Sequence, residues 1–213
     1  MRHIGLVFAL FLALAGAAAL WLTFHQGVRA GFVDARVNTT LLRVNLAYAR
    51  DGEIAGGEQS QLDLAARFPD FRPLSLEKPR LDNEMAVFLR LSPQDLSLDP
   101  GERVARLYAR FLEKDAWSHP GGLQARRFEK GSPFEREELY IAPPEGRLFA
   151  ARCMRPPQPP DGLPNTCISE IRMRGLDVQV RFAPELLPDW EQLMAGARGL
   201  VESMARQAGD ADR

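Results

Sequence analysis

Lysine is scarce in this 213-residue chain, with three residues against 24 arginines; cysteine occurs twice and histidine three times. Each shortage excludes something. Two cysteines with His3, His25 and His119, which stand far apart, do not supply the four clustered ligands of a structural zinc site, and no cofactor is expected. The formal net charge of −1 leaves no basic surplus for neutralising phosphates, which argues against nucleic acid as a partner. No P-loop, dinucleotide glycine fingerprint or nucleophile elbow occurs. Self-similarity at solenoid periods is also missing. His119 is the one histidine away from the N-terminal apolar run. Glu135, Glu137 and Glu138, with Asp95 and Asp99, are the only acidic groupings suited to acid–base work. Acids at strand edges and helix caps are normally solvated, so the chain reads as a non-enzyme.

Charge is also missing from residues 4–24, IGLVFALFLALAGAAALWLTF. A proton-driven membrane element keeps an ionisable group in its span, so that class is excluded. The run itself is informative. Its length at helical rise comes to about 31 Å, a bilayer core. It continues through Leu20-Trp21-Leu22-Thr23-Phe24, past the small-residue sites at Ala15-Gly16-Ala17 where a signal peptide would be cut. Residues 1–25 therefore read as an uncleaved transmembrane signal anchor. Gly5, Ala9, Ala13 and Ala17 fall on one helix face, where two backbones can approach closely.

Arg29, Arg36, Arg43 and Arg50 recur at a constant heptad step just beyond the run. On a helix such a step drifts by only about 20°, giving a nearly axial basic stripe. Val33, Val37, Leu41, Val44 and Tyr48 recur at helical spacing elsewhere on the circumference. The spacing predicts a juxtamembrane amphipathic helix over 26–50, its arginines turned to lipid phosphates or an acidic protein partner.

Residues 51–83 carry Pro69, Pro73 and Pro79 and read as a linker or irregular crossing. The globular domain is expected over 84–207, with a disordered tail at 208–213. EMAVFLRLS (84–92) suits a buried strand. Asp99-Pro100-Gly101-Glu102 supplies a cap, a first-turn proline and a capping acid for a helix to about Lys114. LQARRFE (123–129), ELYIA (138–142), RLFAARC (147–153), CISEIRM (167–173) and LDVQVRF (176–182) read as strands. A two-residue turn at Arg174-Gly175 sets Met173 against Leu176, Ile171 against Val178, and Cys167 against Phe182. The other face then opposes Arg172 to Asp177, a favourable cross-strand pair. A second amphipathic helix starts near Leu187-Pro188-Asp189, with Trp190, Leu193, Met194, Ala197, Val201 and Met204 on one stripe.

Cys153 and Cys167 flank MRPPQPPDGLPNT, a loop whose five prolines forbid sheet pairing. A disulfide would staple its base and implies an oxidising compartment. The fold class is thus α+β: an N-terminal transmembrane helix, then one domain whose antiparallel meander is packed by two amphipathic helices. The expected protein is a single-pass bacterial inner-membrane protein with its C-terminal domain in the periplasm. It would act as a structural, assembly or interaction subunit, touching membrane lipid and binding a protein through the juxtamembrane helix or loop 154–166. The alternative is a periplasmic ligand-binding or inhibitor module.

Overall fold

A computed structural model describes residues 31–50, 53–74, 85–96, 98–155 and 166–211. The anchor segment, with Gly5, Ala9, Ala13, Ala17 and Arg29, lies outside them. Among the described residues no helix is long and apolar enough to cross a membrane.

Alternation builds the sheet. β11 (Cys167–Met173) and β12 (Leu176–Phe182) turn on Arg174 and Gly175, whose φ of 51° and 73° suit a two-residue hairpin. Their register sets Met173 against Leu176, Ile171 against Val178, and Arg172 against Asp177, as the sequence spacing predicts. β10 (Ala150–Met154) adds on one side, with Cys153 opposite Cys167. β9 (Glu137–Ile141), β8 (Leu123–Phe128) and β7 (Leu112–His119) extend the sheet to that edge. On the other side of β12 lie β6 (Ala86–Pro93), β4 (Leu62–Arg67) and the short β5 (Arg72–Pro73). All pairs in this nine-stranded sheet are antiparallel. A second, three-stranded sheet holds the hairpin of β1 (Phe32–Val37) and β2 (Thr40–Asn45), with β3 (Gly57–Gln59) parallel to β1.

The one α-helix among the described residues, α1 (Trp190–Ala211), follows a single 3-10 stretch over Pro184–Asp189. Leu193, Met194, Ala197, Val201 and Met204 are buried along one stripe. They share a core with Ala35, Val37, Leu42 and Val44 of the hairpin and with Leu64, Leu89, Leu91, Val178 and Val180 of the large sheet. A smaller core on the opposite face gathers Tyr108, Leu112, Phe128, Leu139 and Ile141, with Phe134 edge-on to Tyr108 at 5.3 Å.

Three expectations are corrected. The segment expected to be a helix at 26–50 is a β-hairpin over Phe32–Asn45. Two periodicities compete there. Burial of Ala35, Val37, Leu42 and Val44 at every second residue outweighs the helical spacing. Asn38 takes the positive φ (54°) that its turn requires. A step of seven is odd, so on strands the arginines cannot form one stripe. Arg36 instead pairs with Glu58 at 3.1 Å, Arg43 stands opposite Asp34, and Arg50 lies over Phe88.

The supposed linker contains β4, whose Leu62, Leu64, Ala65 and Ala66 are buried. Its prolines fall after the strand and do not interrupt it. The helix expected after Asp99 is replaced by short turns of mixed period over Pro100–Phe111. Asp99 does cap them, accepting from the Gly101 amide at 2.8 Å, but from Leu112 the chain is claimed by pairing with β8. The fold is therefore mixed α+β, with a large antiparallel sheet and one C-terminal helix.

Candidate functional site

Strand alternation turns the apolar residues of β6, β11 and β12 toward α1 and sends their polar neighbours to the opposite face. That polar face carries a network of ion pairs. Arg172 is its hub. Its Nε and Nη2 donate to the two Asp177 carboxylate oxygens at 2.7 and 3.0 Å. Nη2 also donates to the Leu98 carbonyl at 3.2 Å and to the Asp95 carbonyl, and Asp99 lies 3.5 Å away. The Asp177 hydrogen bonds come first in holding the Arg172 guanidinium above its ordinary pKa, partly offset by burial. Asp177 accepts in turn from the Asp95 amide at 2.9 Å. This network clamps the turns after Asp99 onto the sheet. Arg103 pairs with Glu170 beside it, and Arg152 pairs with Glu137 while covering the Tyr108 and Phe134 rings. A pocket of about 150 Å³ opens between these pairs and the 146–150 segment. Of the arginines that line it, Arg103, Arg147, Arg152 and Arg172 are each paired with a carboxylate, and Arg198 of α1 lines it as well.

The acids flagged in the sequence do not converge. Glu137 and Glu138 are neighbours on β9 and so point to opposite faces. Glu137 goes to Arg152, while Glu138 accepts from the Tyr140 hydroxyl at 2.9 Å and pairs with Arg127 at 3.4 Å. Glu135 accepts from the Gly131 amide at 2.7 Å, and Asp95 and Asp99 serve Arg172. His119 meets Tyr140 edge-on at 4.9 Å and lies 3.0 Å from the Pro120 carbonyl. Burial, then the bond to Glu138, raises the Tyr140 pKa well above the usual phenol value. Among the described residues no group of three His, Cys, Asp or Glu side chains could hold a metal ion.

Cys153 and Cys167 form a disulfide, with their Cα atoms 4.0 Å apart at the register position of β10 and β11. It closes the base of loop 154–166, of which residues 156–165 lie outside the described ones.

Farther along the polar face, sheet pairing assembles a cluster that sequence reasoning missed. Asp63, Arg90 and Gln179 form one row across β4, β6 and β12; Ala65, Phe88 and Arg181 form the next. Ala49 bridges to Leu64, which brings Arg50 beside Asp63 and sets its guanidinium 4.6 Å over the Phe88 ring. Arg50, Asp63, Phe88, Arg90, Gln179 and Arg181 line a hollow of about 120 Å³. Arg90 pairs with Asp63 at 2.7 Å. Burial, then the charges of Arg50 and Arg90, lowers the Arg181 pKa below its ordinary range. The alternation of AVFLRLS and LDVQVRF announced the polar positions of each strand. The pairing of β6 with β12, residues far apart in sequence, had no local signal.

No protein-family model matches the chain, and no curated protein does. Two solved structures are similar to it. One is Smlt3025, an immunity protein of the Stenotrophomonas maltophilia type IV secretion system, with a TM-score of 0.58 and 16% identity over 81% of this chain and 92% of that one. The other is FrpD, an iron-regulated outer membrane lipoprotein of Neisseria meningitidis, with a TM-score of 0.48 and 13% identity over 82% and 92%. At that identity the likeness to Smlt3025 is one of fold.

Proposed function

We propose that this chain is a membrane-tethered bacterial envelope protein whose domain binds another protein in the periplasm and inhibits it, as an immunity protein does. The observation that carries this reading is the fold likeness to Smlt3025, which extends over nearly all of that immunity protein. Two features of the chain support the compartment. The ion-free run at 4–24 is long enough for an inner-membrane anchor that contacts lipid. The Cys153–Cys167 disulfide suits an oxidising space, which supports a periplasmic domain. Of the carboxylates suited to acid–base chemistry, Glu137, Glu138 and Asp99 are paired with Arg152, Arg127 and Arg172, which fits a surface held rigid by ion pairs.

Crosslinking of the full-length protein in its native membrane, followed by mass spectrometry, tests the reading. A single partner protein recovered in stoichiometric amount is expected, and its own activity should fall on adding the purified domain. Recovery of a multi-subunit envelope assembly, with no activity inhibited, would favour a structural subunit instead. A monomer carrying a small molecule would contradict both.

A further inference from the structure

Of the cations at the hollow formed by Arg50, Arg90 and Arg181, it is Arg181 that lacks a carboxylate partner among the described residues. Three guanidiniums and one carboxylate line it, and that carboxylate, Asp63, is already bonded to Arg90. Arg181 makes no ion pair among the described residues, although it is half-buried on the sheet. A central strand of a stable domain thus holds a partly desolvated cation next to two others. Like charges at such spacing repel, and the cost falls when an anion enters. Phe88 forms the apolar floor, with Arg50 stacked on it. The volume, about 120 Å³, accommodates one carboxylate side chain and no large ligand. The walls come from β4, β6 and β12, which are paired along their length, so the guanidiniums are presented on a rigid frame.

We infer that this face is the docking surface for an acidic protein segment, with an aspartate or glutamate of the partner seated between Arg181, Arg90 and Arg50. The inference rests on the protein-binding reading above and names the chemistry of the partner. A planar guanidinium fork matches a carboxylate bidentately, which gives orientation as well as attraction. The surrounding charge adds steering that weakens as salt rises.

The test uses the full-length protein in non-ionic detergent and a fluorescein-labelled oligoglutamate peptide, read by fluorescence anisotropy. Oligoglutamine and phosphatidylglycerol vesicles are the comparison probes. Oligoglutamate should bind, oligoglutamine should not, and binding should fall as salt is raised. Arg181→Glu and Arg90→Glu should each weaken binding about tenfold or more, the loss expected for one charge-assisted pair. Arg181→Lys should retain most of it. Arg206→Glu, an exposed charge on α1, should leave it unchanged. Unchanged thermal melts show that each variant is folded. Equal binding of oligoglutamine, an equal loss in Arg206→Glu, or binding of vesicles without oligoglutamate would overturn the inference. If crosslinking recovers a partner that Arg181→Glu and Arg90→Glu still bind at full strength, the partner reading stands and this one fails. If oligoglutamate binds as expected and no partner is recovered, the reverse holds.

Discussion

Gly196 and Gly199 sit one turn apart on α1, and substituting each by alanine should move stability in opposite directions. Alanine in a helix interior is favoured over glycine by about 1 kcal/mol, so both changes start with the same gain. At Gly199 an added Cβ meets nothing within 4 Å, and the gain should survive. At Gly196 the Cβ would lie 2.1 and 2.2 Å from two carbons of the Phe71 ring. That ring cannot swing aside cheaply. Phe71 is 6% exposed, its carbonyl accepts from the Tyr48 hydroxyl at 3.0 Å, and its amide donates to the Arg67 carbonyl at 2.8 Å. Its φ of 52° is already in the left-handed region, so the backbone has little room to adjust. Overpacking of this kind costs about 1–3 kcal/mol and more where nothing can shift, enough to cancel the propensity gain and reverse its sign. For a domain of this size about 1 kcal/mol corresponds to roughly 2–4 °C in Tm. Thermal unfolding followed by circular dichroism should therefore show Gly199→Ala melting a few degrees higher and Gly196→Ala melting lower. Adding Phe71→Leu should relieve the clash, so the double variant should lose less than the two single losses added together. If Gly196→Ala is as stable as Gly199→Ala, Phe71 does not pack against α1, and the placement of the 62–74 segment under the helix is wrong.

Replacing Cys153 and Cys167 together by alanine should lower stability by about 3 kcal/mol, the loop-closure value for a ring of this length; an unchanged denaturant midpoint would show that the bridge constrains nothing. Ser169 is 2% exposed and its hydroxyl has no hydrogen-bond partner, so Ser169→Ala should leave stability equal or raise it by about 1 kcal/mol, and a clear loss in the midpoint would reveal a bond. The Tyr140 hydroxyl has its pKa raised in the folded state, so the unfolded chain ionises first; the stability it confers is present below about pH 10 and is lost as pH rises above that. Tyr140→Phe should accordingly lose less stability than the parent between about pH 8 and about pH 11, and identical alkaline slopes would contradict the assigned burial.

What was legible in the sequence follows from how local the signal is. The β11–β12 hairpin could be registered residue by residue because Arg174-Gly175 fixes the turn and one face of both strands is apolar. The Cys153 and Cys167 pairing was read from the proline-rich loop that the two residues flank. Residues 32–45 misled because Val33, Val37, Leu41 and Val44 satisfy helical spacing, while Asn38 and the alternation around it satisfy a hairpin. Tertiary burial against α1 decided between them. β4 was hidden by its flanking prolines, and β7 by the apolar stripe of the turns before it. The hollow at Arg90 and Arg181 was the least legible of all. Its walls come from β4, β6 and β12, and only the pairing of β6 with both its neighbours brings them together.

A contest between sibling cells tests most directly whether the domain protects by binding. Deleting the gene from its source bacterium and mixing the mutant with its parent in surface contact should cause the mutant to be killed. A plasmid copy of the full-length chain should restore its share of the population, and the same copy with Arg90→Glu and Arg181→Glu should not. Survival of the deletion strain at the parental ratio in surface contact would contradict an immunity role.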